Sequence, residues 1–215
     1  PGSVEIISGN ERISKKLVES KKAHCMFEFV YFSRPDSILE GKSVYDVRIK
    51  LGKNLVKAFN SNAQVVVPVP DTSRPAAEGI SELTDIPVAE GLMKNRYIGR
   101  TFIMPEQKSR EDAVKTKLNP VKSVLKDKNI VLIDDSVVRG TTTKKIVKLV
   151  KNAGAKNVDV WITCPPIISP CFYGIDMKSH SELIAANNSV EEIREIMGAD
   201  NLNYQTIEGL NDAIG

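Results

Sequence analysis

Short apolar runs and helical stripes alternate along most of the chain. From Asp46 to Phe59, Val47, Leu51 and Leu55 recur at helical spacing while Lys50, Lys53 and Lys57 take other faces, which predicts an amphipathic helix. Gln64-Val-Val-Val-Pro68-Val-Pro70 is a β-branched run closed by prolines, the pattern of a buried strand stopping at a loop. Residues 78–83 predict a second helix, and 87–89 and 98–103 two shorter strands. The clearest unit follows. Ile130-Val-Leu-Ile133 is wholly apolar and ends abruptly at Asp134-Asp135-Ser136. Gly140-Thr-Thr-Thr143 leads into 144–151, where Ile146, Val147, Leu149 and Val150 form a stripe among lysines. Gly154 stands where a left-handed glycine ends a helix, and Val158-Asp-Val160-Trp-Ile162-Thr is the next strand. Strand, helix and strand in this order predict a βαβ unit, hence a parallel sheet with a right-handed crossover.

After Pro165-Pro166 the pattern changes. Ser189 and Glu192 are spaced as a capping box before Val190, Ile193 and Met197, and Gly198 closes that helix. Such segments predict a small subdomain beside the sheet. Between Pro105 and Pro120 the chain is strongly polar with almost no core-facing residue. A polar stretch of this length inside an α/β domain predicts a functional lid, here 104–119.

The chain has 215 residues, of which 41% are hydrophobic and 27% charged, the profile of an ordinary globule with a sizeable core. No apolar stretch reaches the roughly 20 residues of a membrane helix. A net charge of +3 gives no argument for a nucleic-acid partner. The three cysteines, Cys25, Cys164 and Cys171, form no Cys-x-x-Cys pair, which predicts reduced thiols in a cytoplasmic protein. His24 and His180 have no ligand-like spacing.

The candidate chemistry lies in Val131-Leu-Ile-Asp-Asp-Ser-Val-Val-Arg-Gly-Thr-Thr-Thr143. Two adjacent carboxylates follow a buried strand at its carboxyl end, where open α/β sheets bind ligands. Asp134 and Asp135 can accept from neighbouring sugar hydroxyls or face Mg²⁺. Residues 136–143 offer backbone N–H groups, four hydroxyls and a helix N-terminus, which suit a phosphate. The Walker A spacing is absent. Acids for a sugar diol beside a cradle for its phosphate specify a phosphorylated pentose more naturally than a nucleotide.

Asp134-Asp-Ser-Val-Val-Arg-Gly-Thr-Thr142 resembles the signature with which type I phosphoribosyltransferases bind phosphoribosyl pyrophosphate (PRPP). Four further stretches resemble, more narrowly, the amidophosphoribosyltransferase family of purine synthesis. They are Phe27-Glu-Phe-Val-Tyr-Phe-Ser-Arg-Pro-Asp-Ser37, Val69-Pro-Asp-Thr-Ser73, Lys94-Asn-Arg-Tyr-Ile-Gly-Arg-Thr-Phe-Ile103 and Cys171-Phe-Tyr-Gly-Ile-Asp176. The resemblance implies an α/β fold: a type I phosphoribosyltransferase-like parallel sheet flanked by helices, with a small additional subdomain from the chain ends. It implies that ammonia displaces pyrophosphate at C1 of PRPP, giving 5-phosphoribosylamine. It assigns Asp134 and Asp135 to ribose and metal, and Ser136, Val137, Val138, Arg139, Gly140, Thr141, Thr142 and Thr143 to the 5′-phosphate. Asp71, Thr72 and Ser73 become the pyrophosphate loop, with Thr72 a Mg²⁺ contact. Arg100 and Lys117 become catalytic cations of a closing lid, and Ile103 part of an apolar path for ammonia.

The same resemblance places residues 25–215 in the phosphoribosyltransferase domain and 1–24 at the end of, or linker from, a glutaminase domain that the chain lacks. Ammonia-dependent synthesis without glutamine hydrolysis is the expectation. Cys25 and Cys171 match ligand positions of the iron–sulfur members, with two further cysteines expected beyond Gly215; a [4Fe–4S] cluster needs four thiolates, so none is expected on this chain alone. The two thiols are expected to lie close together. Expected partners are a glutaminase domain or subunit, purine nucleotides as feedback inhibitors and further copies of the chain; nucleic acid and membrane are not among them. Two alternatives remain at this level: a PRPP-sensing regulator of the same fold without catalysis, and a phosphoribosyltransferase using a nucleobase.

Overall fold

The computed structural model describes residues 2–19, 23–95, 118–175 and 177–215. At the N-terminus, β1 (Ser3–Ser8) and β2 (Glu11–Lys16) pair antiparallel as a hairpin whose twelve residues are all exposed. A second small hairpin joins β3 (Ile38–Leu39) to β4 (Lys42–Ser43). Helix α1 (Val44–Ala58) starts as its Ser43 hydroxyl accepts from the Asp46 N–H, two residues ahead of the periodic pattern. Then come β5 (Val65–Pro68), α2 (Arg74–Thr84), the pair β6 (Leu92–Lys94) and β7 (Leu118–Pro120), and the short α3 (Lys122–Leu125). The predicted βαβ unit is β8 (Asn129–Asp134), α4 (Thr141–Asn152) and β9 (Asn157–Ile162). The chain closes with α5 (Ile184–Asn187), α6 (Val190–Met197), β10 (Asn201–Tyr204) and α7 (Ile207–Ile214). No helix among the described residues is long and apolar enough to cross a membrane.

The main sheet has the order β10-β9-β8-β5, and every pairing in it is parallel. Strand β8 is internal and covered on both faces, which is why its sequence reads as an unbroken apolar run. Its side chains alternate between two cores. Ile130 and Leu132 join Val65, Val67, Val158 and Val160, whereas Val131 and Ile133 join Val66, Trp161 and the helix residues Leu55, Ala77 and Ile80. The C-terminal segment does more than stand beside the sheet: β10 becomes its edge strand. Ser189 and Glu192 make both bonds of the expected capping box, and Gly198 ends α6 with a φ of 70°.

Helix α2 begins four residues before the predicted 78–83, because Pro75 sits in its first turn, where a missing N–H costs nothing. The predicted strand at 87–89 reduces to a single parallel bridge between Val88 and Val66. The predicted strand at 98–103 lies outside the described residues.

Helices α1 and α2 pack backbone to backbone. A Cβ on Gly52 would overlap the Ala76 carbonyl, and one on Gly79 would overlap the Ile49 carbonyl. This reciprocal approach sets the depth of α2 and of the loop that precedes it. Alanine gains up to about 1 kcal/mol in helix propensity over glycine. Here the obstacle is rigid backbone, and overpacking of that kind costs about 1–3 kcal/mol or more. Gly52→Ala is therefore expected to lower the urea midpoint of unfolding, and a stabilised variant would contradict the packing described.

Candidate active site at the carboxyl edge of the sheet

The register of the sheet brings three loops together. Pro68 pairs with Ile133, and Asp134 with Ile162, so β5, β8 and β9 end at one edge. Backbone bonds extend the ladder one step further, from Val69 N–H to the Ile133 carbonyl and from Thr163 N–H to the Asp134 carbonyl, 2.9 and 3.0 Å.

Asp134 and Asp135 sit at that edge, each only 8% exposed. The Asp135 carboxylate accepts from the Thr72 hydroxyl on the β5 loop and from the Ser136 hydroxyl at 2.7 Å. Its backbone carbonyl accepts from the Thr163 hydroxyl at 3.2 Å, and its N–H donates to Asp134 Oδ1 at 2.9 Å. Burial pushes the Asp134 carboxyl well above its ordinary range, and the neighbouring charge of Asp135 adds to this. Burial also raises Asp135, while the Thr72 and Ser136 hydroxyls and the charge of Arg48 pull it back.

Arg48 was not singled out by the sequence pattern. It lies on the buried face of α1, 2% exposed, between Val47 and Leu51. Its guanidinium donates to the carbonyls of Phe29, Tyr31 and Ser33 at 2.8, 3.3 and 2.9 Å, while its Nη1 is buried without a hydrogen-bond partner among the described residues. It thus gathers the turn at Glu28–Phe32 and supplies a cation that acts on Asp135. The detectable signal is an arginine on an apolar helix stripe, which burial tolerates only with partners.

In the pyrophosphate-loop candidate, the peptide between Pro70 and Asp71 is cis. Asp71 is exposed and receives Arg74 at 2.6 Å and Lys94 at 3.1 Å. Burial is the largest single influence and raises its carboxyl, but the two cations together outweigh it and hold the group below the usual range. Ser73 is 1% exposed, and its hydroxyl is buried at the start of α2 with no hydrogen-bond partner among the described residues. A buried orphan hydroxyl is costly unless something completes it.

In the 136–143 loop, Val137 is in the core, Val138 is half-buried and Arg139 is exposed. Gly140 has a φ of 73°, a conformation that suits glycine. Thr141 and Thr142 are exposed, whereas Thr143 is buried. The helix's own bonding starts with Lys144 N–H to the Gly140 carbonyl, so the N–H groups of 141–143 precede it. The loop therefore offers its backbone and two threonine hydroxyls. Arg100, Ile103, Lys117 and the 104–117 part of the expected lid lie outside the described residues; Leu118 and Asn119 are paired in β7.

Thr72, Asp134 and Asp135 are all hard oxygen donors, the set that suits Mg²⁺ held with waters and substrate phosphates. The expected cluster ligands present a different picture. Cys25 is exposed and Cys171 half-buried, and among the described residues no three His, Cys, Asp or Glu side chains gather into a metal site. A four-thiolate cluster does not fit these residues alone. Cys164 is fully buried, and burial, followed by the charges of Asp135 and Cys25, pushes its thiol up to about 12.

The model of the phosphoribosyl transferase domain matches residues 35–169. The chain is 56% identical, over 91% of its length, to the amidophosphoribosyltransferase of Methanothermobacter thermautotrophicus, of which it covers 41%. It is 51% identical over its whole length to that of Methanocaldococcus jannaschii, covering 49%. Among solved structures, the glutamine PRPP amidotransferase of B. subtilis complexed with ADP and GMP superposes with a TM-score of 0.86 at 48% identity. That comparison covers all of this chain and 48% of the other. The chain thus spans about half the length of the curated relatives it matches.

Because burial raises Asp134, its charged form opposes folding. That penalty grows as pH rises from the unfolded value of about 3.9 through the raised folded value. Asp134→Asn keeps an acceptor for the Asp135 N–H and removes the charge. In metal-free buffer its thermal midpoint is expected to exceed that of the parent at pH 7.5 and to converge on it near pH 4. An equal or lower midpoint at pH 7.5 would contradict the electrostatics described.

A buried acid pair, a donor-rich loop running into a helix N-terminus and a matching domain model on one parallel sheet lead to one assignment: the chain belongs to the phosphoribosyl transferase domain family.

Proposed function

We propose that this chain transfers ammonia to C1 of PRPP with release of pyrophosphate, giving 5-phosphoribosylamine in the first step of purine synthesis. The observation that carries the reading is the Asp134–Asp135 pair, buried at the carboxyl edge and followed by the 136–143 loop. The similarity to amidophosphoribosyltransferases supports ammonia as the acceptor.

In this reading the loop amides and the threonine hydroxyls hold the 5′-phosphate at the start of α4, where the helix dipole favours negative charge. Asp134 and Asp135 accept from the ribose hydroxyls and, with Thr72, hold Mg²⁺. When bound, the metal neutralises charge on the pyrophosphate. Asp71, Thr72 and Ser73 line the pyrophosphate, and the orphan Ser73 hydroxyl gains an acceptor there. The ammonia lone pair forms the new bond to C1 on the face opposite the leaving group. The C1–O bond breaks with its electron pair going to pyrophosphate, and the ammonium product loses a proton to solvent. Positive charge that develops on the sugar is stabilised by the nearby carboxylates, as in glycoside cleavage. Arg100 and Lys117, which flank the polar segment read as a lid, gather pyrophosphate charge and exclude water. Ile103 lines the approach of ammonia.

The remaining partners belong to the same reading. Glutamine is the source of ammonia through a glutaminase domain or subunit, and the protein is a cytoplasmic homo-oligomer. Purine nucleoside 5′-monophosphates compete for the site because they present the same ribose and phosphate. Cys25 and Cys171 are the two thiolates this chain would contribute to an iron–sulfur cluster.

The test is pyrophosphate release from PRPP by the 215-residue chain with Mg²⁺ and ammonium. Release that saturates with ammonium is expected, and the double variant Asp134→Asn, Asp135→Asn should lose at least about 100-fold in kcat/KM. Parent-like turnover in that variant, or release that requires a nucleobase instead of ammonium, would refute the reading.

A further inference from the structure

The back of the phosphate loop is held by a segment that the substrate-facing chemistry does not use. Three consecutive loop residues are each held in a different way. The Val138 carbonyl accepts from Ile184 N–H at 2.9 Å. Arg139 Nη2 donates to Glu182 Oε1 at 3.2 Å. Gly140 lies so close to α5 and α6 that a Cβ there would stand 2.7 Å from Ile184 Cδ1 and 3.7 Å from Met197 Cε.

The bracing segment is itself anchored. Leu183 is fully buried. Asn187 Nδ2 donates to the His180 carbonyl at 2.9 Å, and Asn188 Nδ2 to the Ile184 carbonyl at 2.8 Å. Glu182 also accepts, through Oε2, from the Lys178 N–H at 3.0 Å. Its carboxylate therefore bridges the brace and the loop with one oxygen on each. An open cleft of about 500 Å³ is lined by Arg139 together with Ser181, Asn187 and Asn188.

An ion pair this exposed contributes little to global stability. What it does control is geometry. An array of backbone N–H groups recognises a phosphate only if the amides converge, and freedom in the loop is paid for at binding. We infer that Glu182 is a positioning residue for the phosphate loop, acting through Arg139 while Ile184 fixes the adjoining backbone. The kinetic consequence rests on the proposed function; the effect on the loop does not.

The test therefore reads both. Hydrogen exchange of the ligand-free chain, resolved by mass spectrometry, reports the amides of 136–143 without any substrate. In Glu182→Gln these are expected to exchange at least about 5-fold faster, with β8 and α1 unchanged and the thermal midpoint preserved. KM for PRPP should rise about 10-fold, with kcat and KM for ammonium within about 2-fold. Glu182→Asp, which restores the charge with a shorter reach, should fall between. Unchanged exchange in the loop overturns the inference. So does acceleration spread evenly over the chain with a lowered midpoint, which is the mark of a merely structural residue. Selective acceleration in a chain whose parent shows no saturation with PRPP supports the positioning role and overturns the proposed function instead.

Discussion

Everything at the site hangs on the Asp135 carboxyl group at the end of β8. It receives a hydroxyl from the β5 loop and another from its own loop, while its backbone carbonyl takes a third from the strand end of β9. These three segments converge because the parallel register aligns Pro68, Asp134 and Ile162 along one edge. The helices then fix how deep each loop lies. Gly52 and Gly79 allow α1 and α2 to touch through their backbones, and α2 starts directly after Ser73.

That arrangement is costly in the free protein. Two neighbouring acids are withdrawn from water side by side, and among the described residues the buried cation that acts on Asp135 is Arg48. Among the described residues, Ser73 and Arg48 each keep one buried polar atom without a partner. Such deficits mark places where a protein holds strain for a ligand. A ligand that brings a cation to the acids and acceptors to the donors would relieve them together, so part of its affinity comes from ending an existing penalty. In the proposed function, the hydroxyl-rich loop would receive the anionic end of the same ligand.

Much of this was legible from the residues. The β8–α4–β9 unit is readable because both of its periods are strong and its ends are marked by Asp134, Gly140 and Gly154. The capping box at Ser189 and Glu192 was readable because it is a local device. The rest depends on tertiary context. Pro75 looks like a break, yet in a first turn it extends α2 toward the site. The Asn201–Tyr204 strand does alternate polar and apolar residues, but over four positions only, too short a run to announce a strand before β9 offers it an open edge. Arg48 and Glu182 are single charges whose meaning comes from what the fold sets against them. The chemistry itself came from motif resemblance: an acid pair and a threonine-rich loop suggest a phosphorylated sugar, but not which acceptor attacks it.

The central claim is that the acid pair and the phosphate loop take up PRPP together with a divalent cation. Calorimetric titration of the chain with PRPP, with and without Mg²⁺, tests it most directly. The account predicts a saturable one-site isotherm with Mg²⁺ and a fall in affinity of at least about 10-fold when the metal is chelated. Equal affinity with and without Mg²⁺, or no binding under either condition, would contradict it.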